Sequence, residues 1–419
     1  MNFKIDQQRL NRELDTLASF SADPAPAVTR VVFSEQDLAA RAWIKERFRE
    51  AGLTMRDDAV GNTFARWAGA NPDLPAVGTG SHIDAIPHAG KFDGTVGVLG
   101  SLEAIRALQA AGFKPRRSIE LVLFTAEEPT RFGIGCLGSR VISGSLTPAA
   151  DVQLREASAG PEGHGQTLES VRKSAGFTGS LDSALLPQNY FSAFIELHIE
   201  QGSILESEGV SVGLVSDIAA PAAFHIVIEG EGGHAGARLM PGRKDALCAA
   251  AEIILAVERS VLATGATDTV GTVGICQVHP GAMNSIPSRV QLSLDLRDTD
   301  AARRDAALEQ IHNACGEIAS RRRVAIKLET INADAPAQSS PEIVKALKEA
   351  CDAEAVSYRT MVSRAYHDTL FMARLAPVAM MFIPCKGGVS HRPDEYSSPE
   401  QIHQGVKVLA RVLAGLSAI

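Results

Sequence analysis

The apolar positions of this chain follow two rhythms. MNFKIDQQRLNRELDTLASF sets Leu10, Leu14 and Leu17 at helical spacing. SEQDLAARAWIKERFREAG follows as a second helix, with Ser34 and Asp37 as start signals and Gly52 as a stop. Short apolar runs bounded by turn residues come next: NTFARWAG, AVGTGSHID, IELVLFTAEE, FSAFIELHIE and GVSVGLVSD. Amphipathic stretches such as DGTVGVLGSLEAIRALQAAG lie between them. Strands alternating with helices predict an α/β fold with a mostly parallel sheet covered on both faces.

From about residue 218 the rhythm changes. AAFHIVIEGEGG reads as a strand, DALCAAAEIILAVERSVLATG as a helix, DTVGTVGICQVHPG and SRVQLSLDLRD as strands, DAALEQIHNACGEIASRRR as a helix and VAIKLETIN as a strand. That βαββαβ order predicts a ferredoxin-like domain over 218–330. After ADAPAQSS the first rhythm returns, with SPEIVKALKEACDA as a helix and APVAMMFIPC as a buried strand. The last helix opens at Ser398, with Pro399 in its first turn and Gln401 completing a capping box. The expectation is one α/β domain, 1–217 and 331–419, interrupted by a smaller inserted lid. No repeat or low-complexity segment stands out, and REASAGPEGHGQTLES is the expected mobile surface loop.

Composition narrows the function classes. The chain has 419 residues, 45% hydrophobic and 21% charged, and a net charge of −8. Without a basic stripe, nucleic acid is an unfavourable partner, and an anionic substrate needs a local arginine rather than a global field. The six cysteines are scattered with no CxxC pair, which suits free thiols in a reducing compartment. The first segment lacks the apolar centre of a signal peptide, and no apolar run reaches membrane-spanning length. A cytoplasmic protein with no membrane association is expected.

The chemistry gathers where apolar runs end. His82 and Asp84 follow AVGTG, Glu127 and Glu128 follow LVLFTA, His198 lies in FIELHIEQG, and His391 follows MMFIPC; Asp93 sits in the glycine-rich turn GSHIDAIPHAGKFDG. Open α/β sheets bind their ligands at the carboxyl ends of strands, so these side chains are expected to converge. His82, Asp93, Glu128, His198 and His391 are too many ligands for one open catalytic ion. They suit two divalent ions sharing a carboxylate, with Mn2+ or Zn2+ fitting a cysteine-free donor set. Asp84 is placed to orient the His82 imidazole. Glu127 is left over as the general base.

The ordered motifs GSHIDAIPHAGKFDG, FTAEEPTRFG, ELHIEQGSILE, GGHAGARLMPGRKDA, NSIPSRVQLSLDLRD, YHDTLFMA and GGVSHRPDEYS resemble the M20-type dinuclear metallohydrolases. The resemblance spans nearly the whole chain. It lies in the hydantoinase/carbamoylase branch, with the N-carbamoyl-L-amino-acid hydrolases, β-ureidopropionases and allantoate amidohydrolases. It implies His82 and His198 on one ion, Glu128 and His391 on the other, Asp93 bridging, and Glu127 as base. It further implies that Gln201, Asn284, Arg297 and His367 contact substrate and that His234 polarises the scissile carbonyl. On spacing alone His234 is a strand-end histidine and Arg297 a surface arginine. In the family such lid residues can reach across a dimer interface, so a homodimer through the lid is expected.

Tyr366 departs from the small residues that precede the HD pair, His367 and Asp368, in the carbamoylases and allantoate enzymes, which marks it as a candidate specificity residue. His88, His164, His225, His279, His312 and His403 match no role. The implied activity is hydrolysis of a non-peptide C–N bond in a small anionic ureido compound. The likeness leans to the members that cleave (S)-ureidoglycolate to glyoxylate, ammonia and carbon dioxide. The alternatives are allantoate or an N-carbamoyl-L-amino acid as substrate, then a dinuclear peptidase, then a non-catalytic dimeric binding protein.

Overall fold

In the computed structural model, which describes residues 2–146, 154–157 and 165–419, neighbouring residues of each central strand pack into different hydrophobic cores. Ala65, Leu121, Leu123 and Ile195 join one core; Phe64, Val122, Phe124 and Phe194 join the other. Side chains alternate across a strand, so both faces of this sheet are buried. That is why its central strands read as unbroken apolar runs.

The nine-stranded sheet runs Ala337–Gln338, Val212–Ile218, Val378–Ile383, Phe191–Ile199, Ala76–His82, Ile119–Phe124, Thr63–Trp67 and Thr54–Asp57, with Tyr358–Ser363 pairing Val212–Ile218. Its four middle strands, from Val378–Ile383 to Ile119–Phe124, are parallel. Val212–Ile218 and Thr63–Trp67 flank them antiparallel. The expected mostly parallel, doubly covered sheet is present, with antiparallel margins that the apolar pattern does not announce.

The helix signals behave as their chemistry requires. The Ser34 side chain accepts from the amide of Asp37 at the start of Glu35–Glu50, and Ser398 and Gln401 form the reciprocal capping box of Pro399–Ser417. Of the expected loop at 155–170, residues 158–164, including His164, lie outside the described residues. Arg155 forms an isolated bridge with Thr167, and Leu168–Ser174 is helical.

The chain divides into two units, one of Met1–Ser216, Gln338–Ser363 and His367–Ile419, the other of Asp217–Ala337 with Arg364–Tyr366. In the second unit the sheet order is Val270–His279, Arg289–Asp298, Ala220–Glu229, Ala325–Ala333, all antiparallel. Ala246–Ala263 and Ala301–Arg322 cover one face and close a core of Ile226, Ile253, Leu292 and Ile311. No helix among the described residues is long and apolar enough to cross a membrane.

Candidate metal centre

The parallel strands deliver the polar side chains to one edge of their sheet. His82 is the last residue of Ala76–His82 and stands opposite Phe124, the last residue of Ile119–Phe124; His198 stands opposite Phe382 in Val378–Ile383. Glu127 and Glu128 follow Phe124 by way of Ala126, whose φ of 54° is left-handed. His391 takes φ 59°. Such backbone costs about 1–3 kcal/mol per residue and gathers at functional sites. Gly94 explains the glycine-rich turn. Its φ is 63°, and a Cβ there would lie 2.4 Å from the His82 ring. Only glycine lets Asp93 come so close beneath His82.

Asp93 is the hub. Its Oδ1 lies 3.4 Å from His82 Nε2 and 3.1 Å from His198 Nε2, and its Oδ2 lies 3.3 Å from His391 Nε2. His391 Nε2 is also 3.2 Å from Glu128 Oε1. Two clusters with metal-ligand geometry result, His82–Asp93–His198 and Asp93–Glu128–His391, sharing Asp93. Glu127 belongs to neither, and its Oε2 stands 3.7 Å from His82 Nε2.

The donor chemistry fits cations. His82 Nδ1 is 3.1 Å from the Asp84 carbonyl and His198 Nδ1 is 2.9 Å from the Ile199 carbonyl. A carbonyl accepts only, so each Nδ1 carries a proton and Nε2 is the ring nitrogen left to meet a cation. The Gly94 amide donates to His198 Nε2 at 3.1 Å, as that tautomer allows. His82 Nε2 and His198 Nε2 both face Asp93 Oδ1, an arrangement that calls for positive charge between them, a proton or a metal ion, and the carboxylates push both imidazoles toward the charged form. His82 Nε2 is also buried without a hydrogen-bond partner.

The local charge agrees. Asp84, Asp93, Glu127 and Glu128 are all buried. Asp93 and Glu128 push the His391 imidazole up to about 11. Burial drives the Glu127 carboxyl well above the ordinary carboxylate range, against the opposing pull of His82. The Asp84 carboxylate does more than face His82. It lies 3.6 Å from Nδ1, yet it accepts the amides of Glu127 and Glu128 at 3.3 and 3.0 Å. It therefore fixes the main chain that carries both glutamates.

Two expected substrate contacts stand beside ligands. Gln201 donates to Asp93 Oδ2 at 2.7 Å. His367 is 2% exposed, with its ring centroid 4.4 Å from that of His198.

The others belong to the second unit, where they split. His234 pairs with Ser285, next to Asn284, and its Nδ1 accepts from the amides of Gly236 and Ala237. Arg297 is paired at both ends of its guanidinium with Asp295 at 2.8 Å and lies over the Tyr366 ring at 5.2 Å. Eight residue steps separate Arg289, at the His234 end of the strand, from Arg297, which is roughly 27 Å. A small molecule cannot touch both groups in one copy of this unit.

Three participants carried no sequence signal. Cys136 Sγ is 3.6 Å from Glu127 Oε1. Ser390 and Glu395 back Asp93, with Ser390 Oγ 2.8 Å from Asp93 Oδ2 and Glu395 Oε1 accepting the Asp93 amide at 3.1 Å. Serine and glutamate beside a histidine loop are read as solvated polar residues until tertiary contacts are known.

With this geometry in place, similarities to known proteins become informative. The sequence profile of Peptidase family M20/M25/M40 matches residues 78–415. A relative named ureidoglycolate hydrolase, from Arabidopsis thaliana, is 51% identical over 99% of this chain and 88% of its own length. Allantoate amidohydrolase of Escherichia coli strain K12 is 33% identical over 98% of each. Crystal structures of a protein designated AtUAH, in complex with glyoxylate and with (S)-hydroxyglycine, are 49% identical and superpose with a TM-score of 0.91 over 99% of this chain and 98% of theirs.

Proposed function

The chain belongs to peptidase family M20/M25/M40, and on that premise we propose that it is a divalent-metal-dependent amidohydrolase that opens the ureido C–N bond of (S)-ureidoglycolate. The observation that carries the substrate is chemical. Hydrolysis of that bond gives hydroxyglycine, carbon dioxide and ammonia, and hydroxyglycine gives glyoxylate on losing a second ammonia. Hydroxyglycine and glyoxylate are the ligands bound by the 49%-identical AtUAH structures.

The reaction class rests on the site. His82, His198, Glu128 and His391 would hold two ions around the shared Asp93, and divalent ions bound there would supply Lewis acidity. Glu127 takes the proton of the attacking water and passes it to the leaving nitrogen. Its buried position favours a carboxyl able to hold that proton between the two steps. Asp84 keeps Glu127 and Glu128 in register through their amides.

Recognition of the small anion falls to Arg297, Tyr366, Asn284 and His234, with Gln201 and His367 at the ligands. Since Arg297 and the His234–Asn284 pair sit at opposite ends of one strand, a complete site takes them from two copies. The second unit has surface suited to pairing. Val270–His279 is an edge strand with Ile275 50% exposed, and one face of Ala246–Ala263 presents Leu247, Ile254, Leu255 and Leu262. Leu239, Met240 and Met283 stand exposed in the segments that carry His234 and Asn284. Contiguous exposed apolar residues beside an unpaired edge favour a twofold homodimer.

Ammonia release with Mn2+ present tests the substrate. Turnover of (S)-ureidoglycolate should exceed that of allantoate, N-carbamoyl-alanine and N-carbamoyl-β-alanine in kcat/KM. Tyr366 fills the volume that the second ureido arm of allantoate needs, and its phenol can bond the substrate hydroxyl. A site built to bond a hydroxyl rejects analogues without it by up to ~10⁴-fold. Tyr366→Gly should narrow the gap to allantoate. Faster turnover of allantoate by the unmodified protein would remove ureidoglycolate and leave the reaction class standing.

A further inference from the structure

Asp93 can join two ion sites only if its carboxylate is held still, and its neighbours show how this is done. Glu395 is 4% exposed and reaches the 90–94 turn from the far end of the chain. Its Oε1 accepts the amides of Phe92 at 2.8 Å and Asp93 at 3.1 Å. Its Oε2 lies 2.8 Å from Ser390 Oγ, which lies 2.8 Å from Asp93 Oδ2. Packing allows no slack. A Cβ on Gly90 would come within 2.3 Å of Glu395 Cβ. One carboxylate therefore grips the main chain of Asp93 and holds Ser390, whose hydroxyl meets the Asp93 side chain and which immediately precedes His391. Asp93 and His391 are two of the three members of the Asp93–Glu128–His391 cluster.

We infer that Glu395 is a positioning residue that locks the bridging carboxylate to the His391 loop and thereby sets affinity for the ion at Asp93, Glu128 and His391. This rests on the metal-dependent reading above. The His82–Asp93–His198 cluster gains less from the brace, because both of its histidines are fixed by main-chain carbonyls within two residues of themselves, those of Asp84 and Ile199. Residues that orient metal ligands typically contribute 10–100-fold to affinity.

The test is calorimetric titration of Mn2+ into metal-stripped protein, with melting temperature as the control for folding. The unmodified chain should take up two ions. Glu395→Ala should keep one near its original affinity and bind the other at least ~10-fold more weakly. Glu395→Gln should restore both to within about threefold, because its amide oxygen still accepts the two main-chain amides and its NH2 can donate to Ser390 Oγ, replacing the bond that Ser390 donates to the Glu395 carboxylate. Should the alanine variant fail to fold, Ser390→Ala, which removes the hydroxyl shared by Asp93 Oδ2 and Glu395 Oε2 and leaves the two main-chain amide bonds of Glu395 in place, should weaken the same ion in the same direction.

Full affinity for both ions in Glu395→Ala or, where that variant does not fold, in Ser390→Ala would overturn the assignment. So would a glutamine variant as weak as the alanine one, which would point to charge rather than geometry. An unmodified chain that binds no Mn2+ would overturn the assignment together with the functional reading, whereas undiminished binding in the variants overturns the assignment alone.

Discussion

Glu127→Gln should retain its metal ions and lose at least ~10²-fold in kcat, the usual contribution of a positioned proton-transfer group. The substitution preserves shape and volume. Glu127 lies outside both clusters with metal-ligand geometry, so the donors of either cluster are untouched. What disappears is the oxygen that can accept and return a proton. The neighbouring residue gives the contrast. Glu128 Oε1 is 3.2 Å from His391 Nε2 within the second cluster, so Glu128→Gln should fail at the stage of metal content. Measuring bound metal and kcat on the same preparations separates the two glutamates. A metal-replete Glu127→Gln protein that turned over at near-normal rate would place the base on another residue.

Much of this site was legible in the sequence because its grammar is local. Polar side chains at the ends of apolar strands converge by the topology of a parallel sheet, so His82, Glu128, His198 and His391 could be named as potential metal donors from their strands. The turn GKFDG could be read as the device that returns Asp93 to His82, because the cost of a left-handed, side-chain-free position is a local fact. The fold was legible for the same reason, since double burial leaves unbroken apolar runs and the change to alternating strands near residue 218 marks the insert.

What escaped depends on contacts across hundreds of residues. The brace between Glu395 and the 92–93 amides has no periodicity and no composition. A second office of Asp84, holding the amides of Glu127 and Glu128, is likewise invisible in the spacing that suggested a partner for His82. The short pairings Val28–Arg30 with Ala85–Ala89 and Gly233–His234 with Ser285–Ile286 are too brief to announce themselves. Arg297 illustrates a further limit. Its guanidinium was expected to meet the substrate, and it is engaged by Asp295 and Tyr366. A carboxylate ligand must therefore compete with, or add to, an existing bidentate pair.

Mixing two inactive variants should regenerate activity, and this follows from the length of a strand. His234 and Asn284 flank the Arg289 end of Arg289–Asp298, and Arg297 and Tyr366 flank the other, roughly 27 Å away. If both groups serve one small substrate, they come from different copies. A Glu127→Gln chain then lacks the base but still lends an intact His234 to its partner's site. A His234→Ala chain keeps the base and lacks only what the partner lends. In a mixed dimer one of the two sites combines Glu127 of one copy with His234 of the other and is complete, while its counterpart lacks both. Random exchange makes half of the dimers mixed, so about a quarter of the unmodified activity should return on mixing equal amounts. Each variant alone should stay at its own low rate, because every site in it carries the same defect. Size measurements should follow the exchange, and Leu255→Asp on the exposed face of Ala246–Ala263 should prevent both dimer formation and recovery. If subunits exchange and no activity returns, His234 serves the metal centre of its own chain, and Arg297 rather than His234 becomes the residue to seek in the partner.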